Sequence, residues 1–386
     1  MKRIHTIDVT RGIVMIIMAL DHVRDLMHTT ALTQDPTNLQ TTTAALFMTR
    51  WITHLCAPSF VFLSGASAYL TFKSQHNPAQ TKRFLLTRGL WLMLLEITVI
   101  NFAFWFDIHF RTIILQVIFA IGLGFVTLSF LLKVPAKVLG IIGWSIIVLH
   151  GLTTFIPVPQ TQGLAVGWSF LFVTNVFTLS PNFTLGTLYP FIPWLGIMLV
   201  GFGFGSVFEK SAPVRRNILW RSALLAISLF VVIRLLNFYG NPTQWAAQKS
   251  SLFTFLSFIN VSKYPPSLLY TLVMLSLMFG LLALGDIQPN AFTKVVATYG
   301  KVPMFYYLIH WYLIHSVMFG MLFLQGFDWE DIPIGTFSFG RPPNSGIELG
   351  AVYGVWVAVV LFLYPLCRWY ANYKATHRNL KWLSYL

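Results

Sequence analysis

Apolar runs of about twenty residues recur along the whole chain, separated by short polar pieces. Residues 113–132, 188–208 and 268–284 contain no charged side chain at all. A helix of that length crosses a hydrocarbon layer of about 30 Å. Inside lipid no water is present to bond backbone N–H and C=O groups, so the runs must be helical. The pattern predicts ten spans, near 11–29, 52–73, 84–106, 111–132, 137–156, 187–207, 217–238, 266–285, 303–324 and 347–369, within one domain over 1–386. A weaker apolar stretch at 166–179 reads as a re-entrant piece or an eleventh span. The expected fold class is therefore all-α, a polytopic membrane helical bundle with about ten transmembrane helices.

Lys and Arg orient the spans, because they accumulate on the cytoplasmic side of short loops. With ten spans and the N-terminus inside, one face receives 19 basic residues, among them Lys2, Arg3, Lys73, Lys133, Lys210, Arg378 and Lys381. The other face receives six: Arg50, Arg111, Arg234, Lys249, Lys263 and Arg341. An eleventh helix would scramble that bias, so both termini are expected in the cytoplasm. The outward segments 30–51, 157–186, 239–265 and 325–346 are also the long ones, rich in Thr, Asn, Gln, Pro and aromatics, which suits a surface meeting a polar partner. Residues 1–20 imitate a signal peptide, but Asp21, His22, Arg24 and Asp25 follow without a small-residue cleavage pattern, so the segment is expected to remain as the first helix.

Composition agrees with a lipid environment: 56% of residues are hydrophobic and 10% charged, where a soluble domain carries about 25%. The formal net charge of +14 is scattered between apolar runs and forms no continuous basic stripe, so nucleic acid is not an expected partner. The two cysteines, Cys56 and Cys367, provide neither a disulfide framework nor metal spacing. His310 and His315 are five residues apart and so lie on different helix faces, and no HExxH, GxSxG, P-loop or GxGxxG arrangement occurs. No metal site is expected.

Candidate chemistry concentrates in the first span, DVTRGIVMIIMALDHVRDLMH. At about 100° per residue, the eleven steps from Arg11 to His22 return nearly to the same angle, so Asp8, Arg11, His22 and Asp25 share one face. Ionisable groups in a span are expensive toward lipid and should face the protein interior. Asp21 and Arg24 are expected to pair at i,i+3 and, as boundary residues, to reach toward water. Asp25 stands three residues from His22, where a carboxylate would orient the imidazole as a general base. His54, at the outer entrance of the second span, is a second candidate base. Arg83 and Arg88, with Arg11, form a basic inner mouth able to hold lipid headgroups or a phosphorylated cofactor. Arg234, Asn237, Tyr239 and Lys263 fall at the outer face.

The runs IDVTRG through LDHVRD, WITHLCAPSFVFLSGASAYL, FLLTRGLWLMLLE, YPFIPWLG, IRLLNFYGNP, KYPPSLLYTL and YGKVPMFYYLIHWYLIH occur in order between residues 7 and 315. In these runs the chain resembles the heparan-α-glucosaminide N-acetyltransferase-like membrane proteins, bacterial branch, within the wider transmembrane acyltransferase group. The resemblance implies transfer of an acyl group, commonly acetyl, from cytosolic acyl-CoA to an acceptor that is often a sugar or glycan. In related acyltransferases an Arg followed eleven residues later by a His lines the first helix, and Arg11 and His22 match that spacing. The human lysosomal relatives have Asn at the position of His22 and use a loop His, for which His28 and His54 are approximate counterparts.

The expected function is an acyl-CoA-dependent O- or N-acyltransferase. Arg11, Arg83 and Arg88 would hold the CoA phosphates, and His22, oriented by Asp25, would serve as base, with His54 or His310 in reserve. Arg234, Asn237, Tyr239 and Lys263 would contact the sugar-like acceptor from outside. A covalent acyl-imidazole route is the alternative chemistry. A proton-coupled transporter using the same Asp, His and Arg set is the rival class, opposed by the lack of an internal repeat. The expected setting is the bilayer of a bacterial plasma membrane, and a homodimer is compatible with it.

Overall fold

The computed structural model describes residues 4–75, 77–334, 338–377, 379–380 and 383. Lys2, Arg3, Arg378 and Lys381, used above to orient the spans, lie outside the described residues.

The first helix, α1 (His5–Met27), is followed by α2 (Ala44–Thr53), α3 (Cys56–Gln75) and α4 (Pro78–Leu95). The chain of α4 runs on through a π turn, Glu96–Ile100, into α5 (Asn101–Trp105). Strand β1 (Thr112–Leu115) precedes α6 (Val117–Leu131), and α7 (Ala136–Leu149) ends in a 3-10 segment, His150–Phe155. Then come α8 (Gln162–Leu171), β2 (Asn175–Ser180), β3 (Phe183–Thr187), α9 (Phe191–Phe204), α10 (Ala212–Leu236), α11 (Ser251–Ile259), α12 (Leu268–Gly285), α13 (Ala291–Lys301), α14 (Pro303–Leu324) and α15 (Leu349–Thr376).

Among the described residues, eight helical segments are long and apolar enough to cross a membrane. Helix α6 is apolar but shorter than these, and α1 carries charges that set it apart from them. The protein is an all-α, multi-pass membrane bundle. Three departures from the sequence expectation have local causes. The span expected at 111–132 opens as strand β1 and becomes helical only at Val117, and the one at 187–207 is likewise entered from β3. Residues 166–179 form no continuous helix. They divide between α8, only ten residues long, and β2, which pairs antiparallel with β3, itself parallel to β1. The third departure is α13, whose AFTKVVATYGK pattern is too polar to appear as a span, yet which packs along α1.

Helix ends are written locally. Asn77 caps α4 ahead of Pro78, Ser267 caps α12, and Asn290 with Thr293 forms a reciprocal capping box on α13. The core is reached through close backbone approaches. A Cβ on Gly12 would lie 2.0 Å from the Val296 carbonyl oxygen, and one on Gly300 would lie 1.9 Å from that of Asp8. Only glycine lets α1 and α13 meet there, the small-residue packing that helices in lipid depend on. Helix α1 is thereby enclosed by α2, α3, α12, α13, α14 and α15. Asp8, Asp21 and Arg24 are accordingly buried, while the Asp25 side chain stays 39% exposed.

Candidate functional site

Arg11 lies in the second turn of α1 and donates to the Leu63 carbonyl at 3.2 Å and to Ser67 Oγ at 2.6 Å, both on α3. It lines a cavity of about 210 Å³ together with Arg88 of α4, Ser64, Ser67 and Thr71 of α3, and Met304 and Tyr307 of α14. The rest of the wall is largely apolar, including Phe60, Leu92, Val117, Ile118 and Phe125. A basic mouth and an apolar shaft therefore share one space. Arg83 is exposed and is not part of that wall, because it lies five residues before Arg88 and so on another face of α4.

One helical turn beyond Tyr307, His310 is fully buried and its Nδ1 lies 2.5 Å from the Tyr307 carbonyl oxygen and 3.1 Å from that of Tyr306. Its Nε2 is 2.8 Å from Nδ1 of His22. The His22 ring packs on Trp311 at 4.0 Å between centroids. Unlike its helix neighbours Asp21 and Val23, His22 is only half-buried.

Asp25 does not orient His22. Its carboxylate is 2.5 Å from Arg24 Nη2, and the imidazole faces α14, so the expected contact within α1 is replaced by one between helices. Nor do Asp21 and Arg24 reach water at the boundary. The expected pair forms at 2.8 Å, but Asp21 also accepts from Arg50 at 2.7 Å and from Thr53 Oγ1 at 2.7 Å, and both Asp21 and Arg24 are buried. The neighbouring helix α2 supplies the countercharge that snorkelling would otherwise have to replace.

His54 is buried beside this network, stacked edge-on to Tyr270 at 5.7 Å, and its Nδ1 has no partner among the described residues. Lys263 is buried too, its ammonium 4.9 Å from the centre of the Tyr264 ring, and Asp21, His22 and His54 all lie within its electrostatic reach. Burial opposes ionisation of the Tyr264 phenol, but the charges of Lys263 and Arg50 outweigh it and hold that phenol below its usual value.

The other three acceptor candidates are occupied by backbone. Arg234 is 2% exposed and donates to the carbonyls of Phe258, Thr243, Ser257 and Asn260. Asn237 ends α10 in the left-handed region and exchanges two hydrogen bonds with Trp245. Tyr239 donates its hydroxyl to the Val148 carbonyl. These residues fold the 237–260 segment onto the bundle, a role that loop polarity alone could not distinguish from ligand contact.

Residues 3–243 match the family described as heparan-alpha-glucosaminide N-acetyltransferase, catalytic. The chain belongs to this family. A comparison with curated proteins found no match. Membership in the heparan-α-glucosaminide N-acetyltransferase family makes the protein a membrane acyltransferase by class. For such an enzyme the arrangement has two useful parts, a cavity with cationic groups at one end and a polar cluster of His22, His310, Asp21, Arg50, His54 and Lys263 beyond it. No group of three or more metal-ligating side chains occurs among the described residues. Sequence reasoning missed Arg50 as the partner of Asp21 and Tyr307 as the cavity wall beneath His310. The only trace of either was the adjacency of Tyr306 and Tyr307 to LIH in one motif.

Proposed function

We propose that the protein transfers an acyl group, acetyl in the first instance, from acyl-CoA to a hydroxyl or amine of a sugar-like acceptor, with His22 as general base. The observation that carries this reading is that the wall of the Arg11 and Arg88 cavity includes Tyr307, one turn of α14 before the His310 that bonds His22. Charge-assisted donors such as guanidinium groups suit the phosphates of CoA. His22 stands eleven residues from Arg11, about 16 Å of helix rise, which leaves room for an extended thioester arm. His22 then takes the acceptor proton as the acceptor O or N attacks the thioester carbonyl. The C–S bond breaks, and the leaving thiolate recovers the proton from His22. Lys263 and His54 flank the acceptor side. In this reading CoA enters from the cytoplasm of a bacterial cell, and the acceptor meets the opposite face.

The test is incubation of detergent-purified protein with radiolabelled acetyl-CoA and a panel of amino sugars and glycans, comparing wild type with His22→Ala. Acceptor labelling that falls at least 100-fold in the variant is expected, from the usual contribution of a positioned base. Labelling that ignores the substitution removes His22 from the mechanism, and solute uptake into liposomes without CoA turnover would make the protein a transporter.

A further inference from the structure

Hydrogen-bond logic fixes the protons of the two central histidines. A carbonyl oxygen only accepts, so the His310 Nδ1 that lies 2.5 Å from the Tyr307 oxygen and 3.1 Å from the Tyr306 oxygen must carry hydrogen. A neutral imidazole has one N–H, which leaves His310 Nε2 as an acceptor. The 2.8 Å contact to His22 then requires hydrogen on His22 Nδ1. The lone pair of His22 is thereby placed on Nε2.

We propose that His310 is the positioning residue for His22, and that a chain from the Tyr307 carbonyl through His310 to His22 performs the task usually given to a carboxylate. This rests on the reading of His22 as base, and it goes beyond that reading by assigning how the base is held. Neither nearby carboxylate is available for the work. Asp25 is turned to Arg24, and Asp21 is engaged by Arg50, Arg24 and Thr53. The rings are also fixed in plane, His22 against Trp311 and His310 stacked on Tyr306 at 5.4 Å.

The consequence is a neutral relay. When His22 Nε2 takes the acceptor proton, its Nδ1 hydrogen already points at His310 Nε2, so the positive charge is shared between the two rings and stabilised by the Tyr307 carbonyl dipole. No proton leaves the pair until the CoA thiolate takes one back at His22 Nε2. A donor-only group at position 310 would instead force hydrogen onto His22 Nε2 and abolish the base.

Two substitutions separate this role from simple packing. In His310→Gln the side-chain oxygen can stand near the Nε2 position and accept from His22, so kcat should stay within about fivefold of wild type. His310→Phe keeps a ring but no acceptor, and kcat should fall by about 100-fold or more with the KM for acetyl-CoA unchanged. Equal loss in both variants, or wild-type turnover by His310→Phe, overturns the proposal. Nitrogen-15 NMR of wild-type protein labelled at histidine reads the arrangement without activity or mutation: both Nδ1 atoms should be protonated and both Nε2 atoms bare. Hydrogen on His22 Nε2 would overturn it. Should His22→Ala retain turnover, the base reading fails, while the NMR result still decides the relay on its own.

Discussion

Arg50 Nη1 bonds both carboxylate oxygens of Asp21 at 2.7 Å, joining α2 to α1 across 29 residues of sequence. Arg24 and Thr53 bond the same carboxylate, so one buried anion holds three donors from two helices. Removing one partner from a buried ion pair leaves the others uncompensated, typically at about 3–5 kcal/mol. Asp21→Asn should therefore destabilise the protein by about that much, and more than Arg50→Ala, which leaves Arg24 and Thr53 on the carboxylate. Thermal unfolding in detergent measures both, and equal stability of Asp21→Asn and wild type would contradict the network.

Arg11 and Arg88 border the same cavity, whereas Arg83 points elsewhere. A hydrogen bond to a charged group contributes about 1.5–3 kcal/mol, or roughly 10- to 100-fold in binding. Alanine at 11 or 88 should raise the KM for acyl-CoA by about tenfold or more. Alanine at 83 should change it less than twofold. Initial-rate kinetics over acyl-CoA concentration distinguish the three.

Arg234 is expected to matter for stability and not for chemistry. Its guanidinium satisfies four carbonyls, and leaving buried polar groups unsatisfied costs about 1–3 kcal/mol each. Arg234→Ala should lower the unfolding temperature and expose segment 237–260 to protease, while the folded fraction keeps its KM for acceptor. A selective rise in that KM would return Arg234 to the acceptor site.

The α1–α13 contact sets a steric prediction. Gly300→Leu would drive a side chain into the Asp8 carbonyl, because even a Cβ lies at 1.9 Å. Helix α13 must then leave α1, and loss of the monodisperse folded peak in size-exclusion chromatography is the expected outcome. An unchanged profile and full activity would refute so close an approach.

Outside the spans, Asp107 is expected to contribute to acid sensitivity. Burial opposes its ionisation, but the Arg111 side chain at 2.9 Å and the Arg111 and His109 amides hold its carboxyl below the usual range. A lowered folded-state value means the contribution is complete above the unfolded value near pH 4 and is lost as pH falls through the folded one. Asp107→Asn should therefore be less stable than wild type at neutral pH, and the two should converge in acid. Parallel unfolding curves at pH 7 and pH 3 would contradict this.

Much of the architecture was legible along the chain, for a physical reason. Lipid demands long apolar helices with internally bonded backbones, so the helical class and the order of the apolar helices are local properties of a one-dimensional pattern. The common face of Arg11 and His22 was readable likewise, because a helix fixes angles about its own axis. What no single helix encodes is which neighbour fills the space opposite each face. His22 finds His310 across 288 positions, and Asp25 turns to Arg24. Arg234 and Asn237, polar residues beside a loop, are drawn inward by carbonyls that only the folded 237–260 segment presents. Those partnerships depend on packing between helices, and they decided which of the candidate residues stand together.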